Sequence, residues 1–350
     1  MKKTLLATAI AGAMAFSATA AQAATVYDQD GTKLDINGRI AMGIRGGGPE
    51  YNSAGEKVSN DTEFVDVYSR LGLSMSHEVS SDMTAFGRVE WRFTGDERNT
   101  SQGFNEVRHS YIGLRGNSWG TVQAGNYDSF YNSYVSAPFD VYIDRGLELT
   151  TGAGGSKQAR GDSLGYVTPD LQGFTAFISA KHYSDRGEVE PTDGSEVATQ
   201  GGAKFETGGL RLALGYVDDI VEGGGNDELL YGATASFAIN DAFSARLGYE
   251  TRDDNDTLGG GYDTWGLGMS YAVGQWAFNA DIYDVSPDNS DSRTSWAAGA
   301  YYNLTSSFNL FAELQQADQQ SITLFNDDGD VIDTADGDDM YYITGARYFF

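Results

Sequence analysis

From Leu34 to Ile44 the chain alternates, with Leu34, Ile36, Ile40, Met42 and Ile44 on one parity and Asp35, Asn37 and Arg39 on the other. Period 2 marks a strand with one apolar and one polar face. The pattern recurs from Val65 to Met75, where Val67, Leu71, Leu73 and Met75 oppose Asp66, Tyr68 and Arg70. It recurs again from Met83 to Phe93, where Val89, Trp91 and Phe93 oppose Arg88, Glu90 and Arg92. Further strands are predicted at 106–116, 119–126, 160–168, 173–183, 200–207, 209–217, 228–239, 242–252, 262–272, 275–284, 294–303, 308–316 and 340–350, sixteen in all. Many of these are about 10 residues long, above the mode for globular sheets.

The connections alternate in length. Short ones at 79–82, 117–118, 169–172, 240–241, 273–274 and 304–307 carry turn formers such as Ser80-Ser81-Asp82, Asn117-Ser118 and Asn240-Asp241. Long ones fall at 46–62, 95–105, 127–159, 184–199, 218–227, 253–261, 285–293 and 317–339. This is a run of antiparallel hairpins with one plain end and one elaborated end. Sixteen such strands cannot stay open in water without exposing sheet edges and an apolar face, and closure removes the edges. About eight strands can be filled by side chains, but sixteen enclose a lumen too wide to fill, so the polar parity lines water. The apolar parity then faces lipid, where a closed barrel also satisfies every backbone N–H and C=O. Aromatic residues beside the turns and termini, among them Trp119, Phe174, Tyr271, Trp276, Tyr301, Tyr302, Tyr348 and Phe349, fit the girdles of such a barrel. The expected fold is an all-β, 16-stranded antiparallel transmembrane barrel forming one domain over 24–350.

Residues 1–23 hold Lys2-Lys3, an apolar run from Thr4 to Phe16 and a small-x-small ending at Ala21-Gln22-Ala23, the pattern of a cleaved export signal. The formal charge is -27, and cleavage would make it more negative by removing two lysines and no acid. A field of that sign excludes nucleic acid as a partner. The chain has no cysteine, which excludes disulfides and thiolate metal sites. Beyond the export segment no run has the roughly 18 apolar residues a membrane helix needs. His77, His109 and His182 lie far apart, and the Ser76-His77 and His109-Ser110 neighbours should point to opposite faces of a strand, so no enzyme is indicated. Neither a cofactor nor a metal site is expected: the Asn326-Asp327-Asp328-Gly329-Asp330 stretch lacks the spaced Glu of a calcium loop.

The pieces Asp30-Gly31-Thr32-Lys33-Leu34-Asp35-Ile36-Asn37-Gly38-Arg39, Ser69-Arg70-Leu71-Gly72-Leu73, Ile112-Gly113-Leu114, Trp119-Gly120-Thr121-Val122-Gln123-Ala124-Gly125 and the C-terminal strand ending in Phe350, in this order and spacing, resemble the general porins of Gram-negative outer membranes. The resemblance spans essentially the whole chain after the export segment. It implies a homotrimeric, water-filled diffusion channel for small polar solutes and ions, set in outer-membrane lipid and lipopolysaccharide. It also implies that Phe350 is read by the barrel-insertion machinery, and that the third long loop, 127–159, folds into the barrel. That loop carries Tyr127, Phe130, Tyr131, Tyr134, Phe139 and Tyr142, too much apolar surface to remain in water. By the resemblance Asp140, Asp144 and Glu148 are the loop carboxylates of a constriction, and Arg39, Arg70, Arg108 and Arg160 the opposing basic wall. Period 2 independently places Arg39 and Arg70 on the polar parity. Acid-rich connections, including Asp218-Asp219 and Asp253-Asp254-Asn255-Asp256, lead to an expected moderate cation preference. They also suggest loose divalent bridging to lipopolysaccharide. The alternatives are a surface adhesin whose channel is incidental, or a substrate-specific porin.

Overall fold

The computed structural model describes residues 23–51, 55–98, 103–144, 148–149, 157–184, 195–316, 319–325, 331–337 and 340–350. The expected export segment lies outside the described residues except for Ala23. The first strands are β1 (Ala24–Gln29), β2 (Thr32–Gly47), β3 (Glu63–Asp66), β4 (Arg70–Ser80), β5 (Met83–Arg92), β6 (Glu106–Gly116) and β7 (Gly120–Asn126). After the long third connection come β8 (Ser163–Val167), β9 (Phe174–Tyr183), β10 (Glu196–Thr207), β11 (Leu210–Asp219), β12 (Glu228–Ala238) and β13 (Phe243–Arg252). The chain continues through β14 (Tyr262–Val273), β15 (Trp276–Pro287), β16 (Arg293–Thr305), β17 (Phe308–Gln316), β18 (Gln319–Phe325), β19 (Val331–Gly337) and β20 (Met340–Phe349).

Eighteen of these segments form one antiparallel sheet, while β18 and β19 form a separate hairpin in the last long connection. The sheet closes because β20 pairs with both β17 and β2. Two barrel positions are each built from two segments. Along β2, Phe349 stands opposite Arg39 and Ala24 opposite Ile36, so β20 and β1 run in series as one strand position. On the other side of β2, β3 pairs with 42–45 and β4 with 32–39. Eighteen segments thus make the sixteen strands that the periodicity indicates.

Alternation assigns the faces. Along β11 to β15, Leu212, Leu214, Tyr231, Leu247, Trp265, Leu267 and Ile282 are exposed, whereas Thr234, Arg246, Glu250, Thr264, Asn279 and Asp281 between them are buried. The exposed apolar parity is the lipid face and the buried polar parity faces inward. Two aromatic positions differ from the sequence expectation. Tyr301 and Phe349 are buried rather than part of a girdle, while their neighbours Tyr302 and Tyr348 keep the outward side. Adjacent strand residues cannot share a face. Val67, expected among the lipid-facing residues, is buried inside, and Phe64 is exposed instead. The parity changes across the break between β3 and β4, where Tyr68 has a left-handed φ of 60°. Asp66 Oδ1 accepts from Ser69 N at 2.8 Å and Ser69 Oγ from Ala41 N at 3.0 Å, which fixes the break.

The outward face makes a direct prediction. Leu214, 62% exposed near the middle of β11, should tolerate Ala but not Arg; Leu214→Arg is expected to lower folding stability in lipid vesicles by about 2–4 kcal/mol, measured by equilibrium denaturant titration.

Candidate functional site: a constriction inside the barrel

Between β7 and β8 the chain makes a π-helical turn at Asn132–Ser136 and a 3-10 turn at Ala137–Phe139. It packs on inward-facing positions of the far wall, so the loop lies within the lumen. Glycines there admit its bulk: a Cβ on Gly232 would meet Tyr131 Oη at 1.7 Å, and one on Gly248 would meet Leu149 at 2.5 Å and Phe139 at 2.7 Å. Tyr127, Phe130, Tyr131 and Val135 join Val167, Phe177, Val217, Leu230 and Tyr262 in one buried cluster. Further along, Ile143 packs with Val65, Val67, Tyr301, Phe311 and Ile343. Inward positions of these walls are therefore covered by the loop.

Polar anchors hold the loop in register. Gln200 Oε1 accepts from Ser129 Oγ and Tyr131 N, both at 2.8 Å. Glu250 accepts from Tyr131 Oη, Tyr262 Oη and Lys157 Nζ, each at 2.7 Å. Arg211 donates to Tyr134 O at 2.6 Å and Thr234 Oγ1 to Val135 O at 2.6 Å. Tyr142 Oη donates to Asp281 Oδ2 at 2.6 Å, and the Glu313 carboxylate takes Ile143 N at 2.7 Å and Asp144 N at 3.2 Å. Each anchor pairs a buried acceptor that would be costly to leave unsatisfied.

The uncovered wall is basic. Arg39 on β2 stands directly opposite Arg70 on β4, Arg70 opposite Arg92 on β5, and Arg92 opposite Glu106 on β6. Three like charges in one row of a sheet oppose folding. Their placement is therefore not a packing solution. Among the described residues no carboxylate comes within 4.0 Å of Arg39, whose Nε donates to Tyr68 O at 3.1 Å. Arg108 sits in a bulge: the register steps from Glu90 opposite His109 to Trp91 opposite Val107. The extra residue lets the neighbours Arg108 and His109 turn to the same side, against the strict alternation expected of them. Arg108 Nη2 then reaches Asp128 Oδ2 at 2.7 Å, and His109 Nε2 lies 3.0 Å from the same oxygen. Arg160 lies outside β8, at the end of the loop, in a run with left-handed φ from Gln158 to Asp162. It contacts Asp128 Oδ1 at 3.0 Å and Glu106 Oε1 at 2.8 Å.

The three loop carboxylates part company. Asp140 is exposed, and its charged surroundings are Asp128 together with Arg108, Arg70 and Arg39. Asp144 is buried against β2, 3.5 Å from Arg45 Nη1, and its carbonyl accepts from Tyr68 Oη at 2.9 Å. Glu148 is buried and pairs with Arg293 Nη1 of β16 at 2.7 Å. Asp144 and Glu148 thus tie the loop to the barrel. Phe350 closes the ring, its carbonyl accepting from Gly38 N at 2.9 Å. Sequence reasoning overlooked Glu90, Glu250, Asp281 and Glu313. Each lies on the polar parity, but parity alone cannot separate a carboxylate in water from one that anchors a loop.

A family model described as Gram-negative porin matches residues 7–321. A "Monosaccharide porin" from Halomonas sp is 34% identical over 303 residues, covering 81% of this chain and 78% of that one. "Outer membrane porin C 2" of Shigella flexneri is 26% identical over 365 residues, covering 100% of this chain and 89% of its own. Among solved structures, the "Anion-selective porin from Comamonas acidovorans" superimposes with a TM-score of 0.69 at 20% identity, covering 91% of this chain and 100% of that one. A Salmonella typhi OmpF structure gives 0.64 at 17% identity, covering 93% and 100%.

Asp128 carries the pH dependence of this site. Burial alone would raise its carboxyl, but the hydrogen bond from His109 and the charges of Arg108 and Arg160 hold it well below the usual carboxylate range. A depressed value gives stability that is complete above the unfolded-state value, near ~4, and is lost as the pH falls through the folded-state value. Asp128→Asn is expected to melt below the native barrel at pH 6, with the gap closing as the pH drops from about 4 toward 2; melting in detergent across that range measures it.

Proposed function

The chain belongs to the Gram-negative porin family, and from that premise we propose that it forms a passive, water-filled channel for small hydrophilic solutes and ions, with its eyelet between the loop of 127–159 and the arginine row of β2, β4 and β5. It resides in the outer membrane, as its relatives named outer-membrane proteins do. The observation that carries the reading is the loop held inside the lumen, with its Asp128 against Arg108 and Arg160. Opposed charges across a narrow opening make a transverse field. Such a field favours dipolar solutes and penalises apolar ones, so passage is sieved by polarity as well as by size.

Selectivity follows from where the charges stand. Asp219 is no rim charge, because it is buried in a pair with Arg252. At the waist Arg39, Arg70, Arg88, Arg92, Arg108 and Arg160 outnumber Glu90, Glu106, Asp128 and Asp140. The acid-rich connections draw cations to the mouth only within a Debye length, about 10 Å at 0.1 M salt and about 3 Å at 1 M. The moderate cation preference is therefore a low-salt property. A second reading, a channel specific for monosaccharides, is favoured by the name of the Halomonas relative; saturable sugar entry in liposome swelling would select it.

Export through cleavage of 1–23, insertion directed by Phe350 and a homotrimer complete the proposal. Supporting the trimer is a depression on the outer face, where Ala85, Gly87 and Ala124 are rimmed by Met75, Ile112 and Leu114. Small residues there allow close approach of another barrel.

Single-channel recording in planar bilayers is expected to give large steps in groups of three, with a cation preference at 0.1 M salt that vanishes at 1 M. Asp140→Asn should weaken that preference. A folded barrel that does not conduct would overturn the channel reading in favour of the adhesin.

A further inference from the structure

Tyr68 holds a left-handed backbone at the break between β3 and β4, with a φ of 60°. Glycine adopts that conformation without cost and asparagine more readily than most residues, whereas a bulky aromatic residue there is a genuine outlier. Such strain persists only where the surroundings over-determine it, and it clusters at functional sites. Backbone, ring and hydroxyl of Tyr68 are all engaged. Its carbonyl accepts from Arg39 Nε at 3.1 Å, its ring centroid lies 4.9 Å from the Arg92 guanidinium carbon, and its hydroxyl donates to Asp144 O at 2.9 Å. The residue is nonetheless 37% exposed. Because Arg39, Arg92 and Asp144 all lie inside the barrel, that exposed surface faces the lumen.

The loop meets this side of the barrel at both of its ends. Asp128 contacts Arg108 of β6, while Asp144 contacts Arg45 of β2 and the Tyr68 hydroxyl. Arg70 of β4 and Arg92 of β5 stand on the strands between those contacts. We propose that Tyr68 is a specificity-determining residue of the channel: its ring is the corner post where loop and wall join, and its bulk in the lumen sets the largest polar solute, such as a saccharide, that passes. The inference rests on the channel reading. A turn that only had to break the strand would be better served by glycine, so the side chain is what the strain retains. The cation–π contact with Arg92 and the hydroxyl bond to the loop hold the ring from two sides. Tyr68 carries no charge, so it acts on the size of the solute and not on the sign of an ion.

The test uses the full-length protein refolded as the native assembly in liposomes, with swelling rates read for glucose and for the trisaccharide raffinose. Glucose entry through the native protein is the control for the channel reading, and the raffinose-to-glucose ratio in the variants reports on Tyr68 alone. Tyr68→Gly keeps the left-handed turn and removes the ring; it is expected to raise that ratio roughly twofold, because the opening widens. Tyr68→Phe keeps the ring and removes only the hydroxyl, so its ratio should stay at the native value. A Tyr68→Gly channel with the native ratio would overturn the proposal. So would a Tyr68→Phe channel whose ratio rises as far as that of Tyr68→Gly, since the residue would then act only by tethering the loop. Where Tyr68→Gly does not assemble, Tyr68→Asn, which also tolerates a left-handed φ, reads the same widening: a raised ratio supports the proposal and a native one rejects it.

Discussion

A backbone amide inside a bilayer has no water to bond, and each unpaired N–H or C=O there costs several kcal/mol. For a chain of strands, that constraint demands a ring with no free edge. The ring here is completed by two devices that local pattern does not announce: β20 and β1 laid end to end along β2, and β3 and β4 sharing the opposite side of the same strand. Phe350 and Gly38 exchange backbone hydrogen bonds at the junction, so the last residue of the chain is part of the closure. Once the ring has sixteen positions its lumen is too wide for side chains to fill.

The third loop fills part of that space, and the way it is held explains the asymmetry of the interior. On the walls it touches, inward positions have become a protein core, with Tyr283, Tyr301, Phe311 and Leu230 buried beside the loop aromatics. Glu250, Asp281 and Glu313 are wall carboxylates that serve as acceptors for the loop's tyrosine hydroxyls, lysine and amides. A loop of polar backbone can be buried in a barrel only when such acceptors are waiting. On the side of β2, β4, β5 and β6 the inward positions keep their charges, among them Arg39, Arg70, Arg92 and Arg108. The asymmetry of the interior is a consequence of one-sided filling: loop and wall core on one side, a row of guanidiniums on the other.

Much of this was legible in the primary structure. Alternation from Leu34 to Ile44 and its repeats located sixteen strands, and the inward parity of Arg39 and Arg70 followed from the same count. The third connection stood out through its aromatic content. Other features were illegible for definite reasons. A left-handed residue at Tyr68 reversed the parity of Val67, and a bulge at Arg108 put His109 on the same face as its neighbour. Period-2 reading assumes an unbroken strand, so it fails at these irregularities, and both of them border the constriction. Asp140, Asp144 and Glu148 look alike in sequence, yet only the path of the loop takes Asp144 to Arg45 and Glu148 to Arg293 and leaves Asp140 exposed.

The sequence by itself determined the strand count, the hairpin order, the lipid-facing stripe and the loop that had to find a surface, because all of these depend on the local alternation of side chains and on the length between turns. Tertiary structure decided register: which arginines stand in one row, which glycines receive the loop, and which carboxylate quenches which cation. The physical reason is that a strand's faces are set by its neighbours in sequence, two residues apart, whereas its partners are set by closure of the whole ring. A charge row such as Arg39, Arg70 and Arg92 exists only after residues more than twenty positions apart have been brought edge to edge.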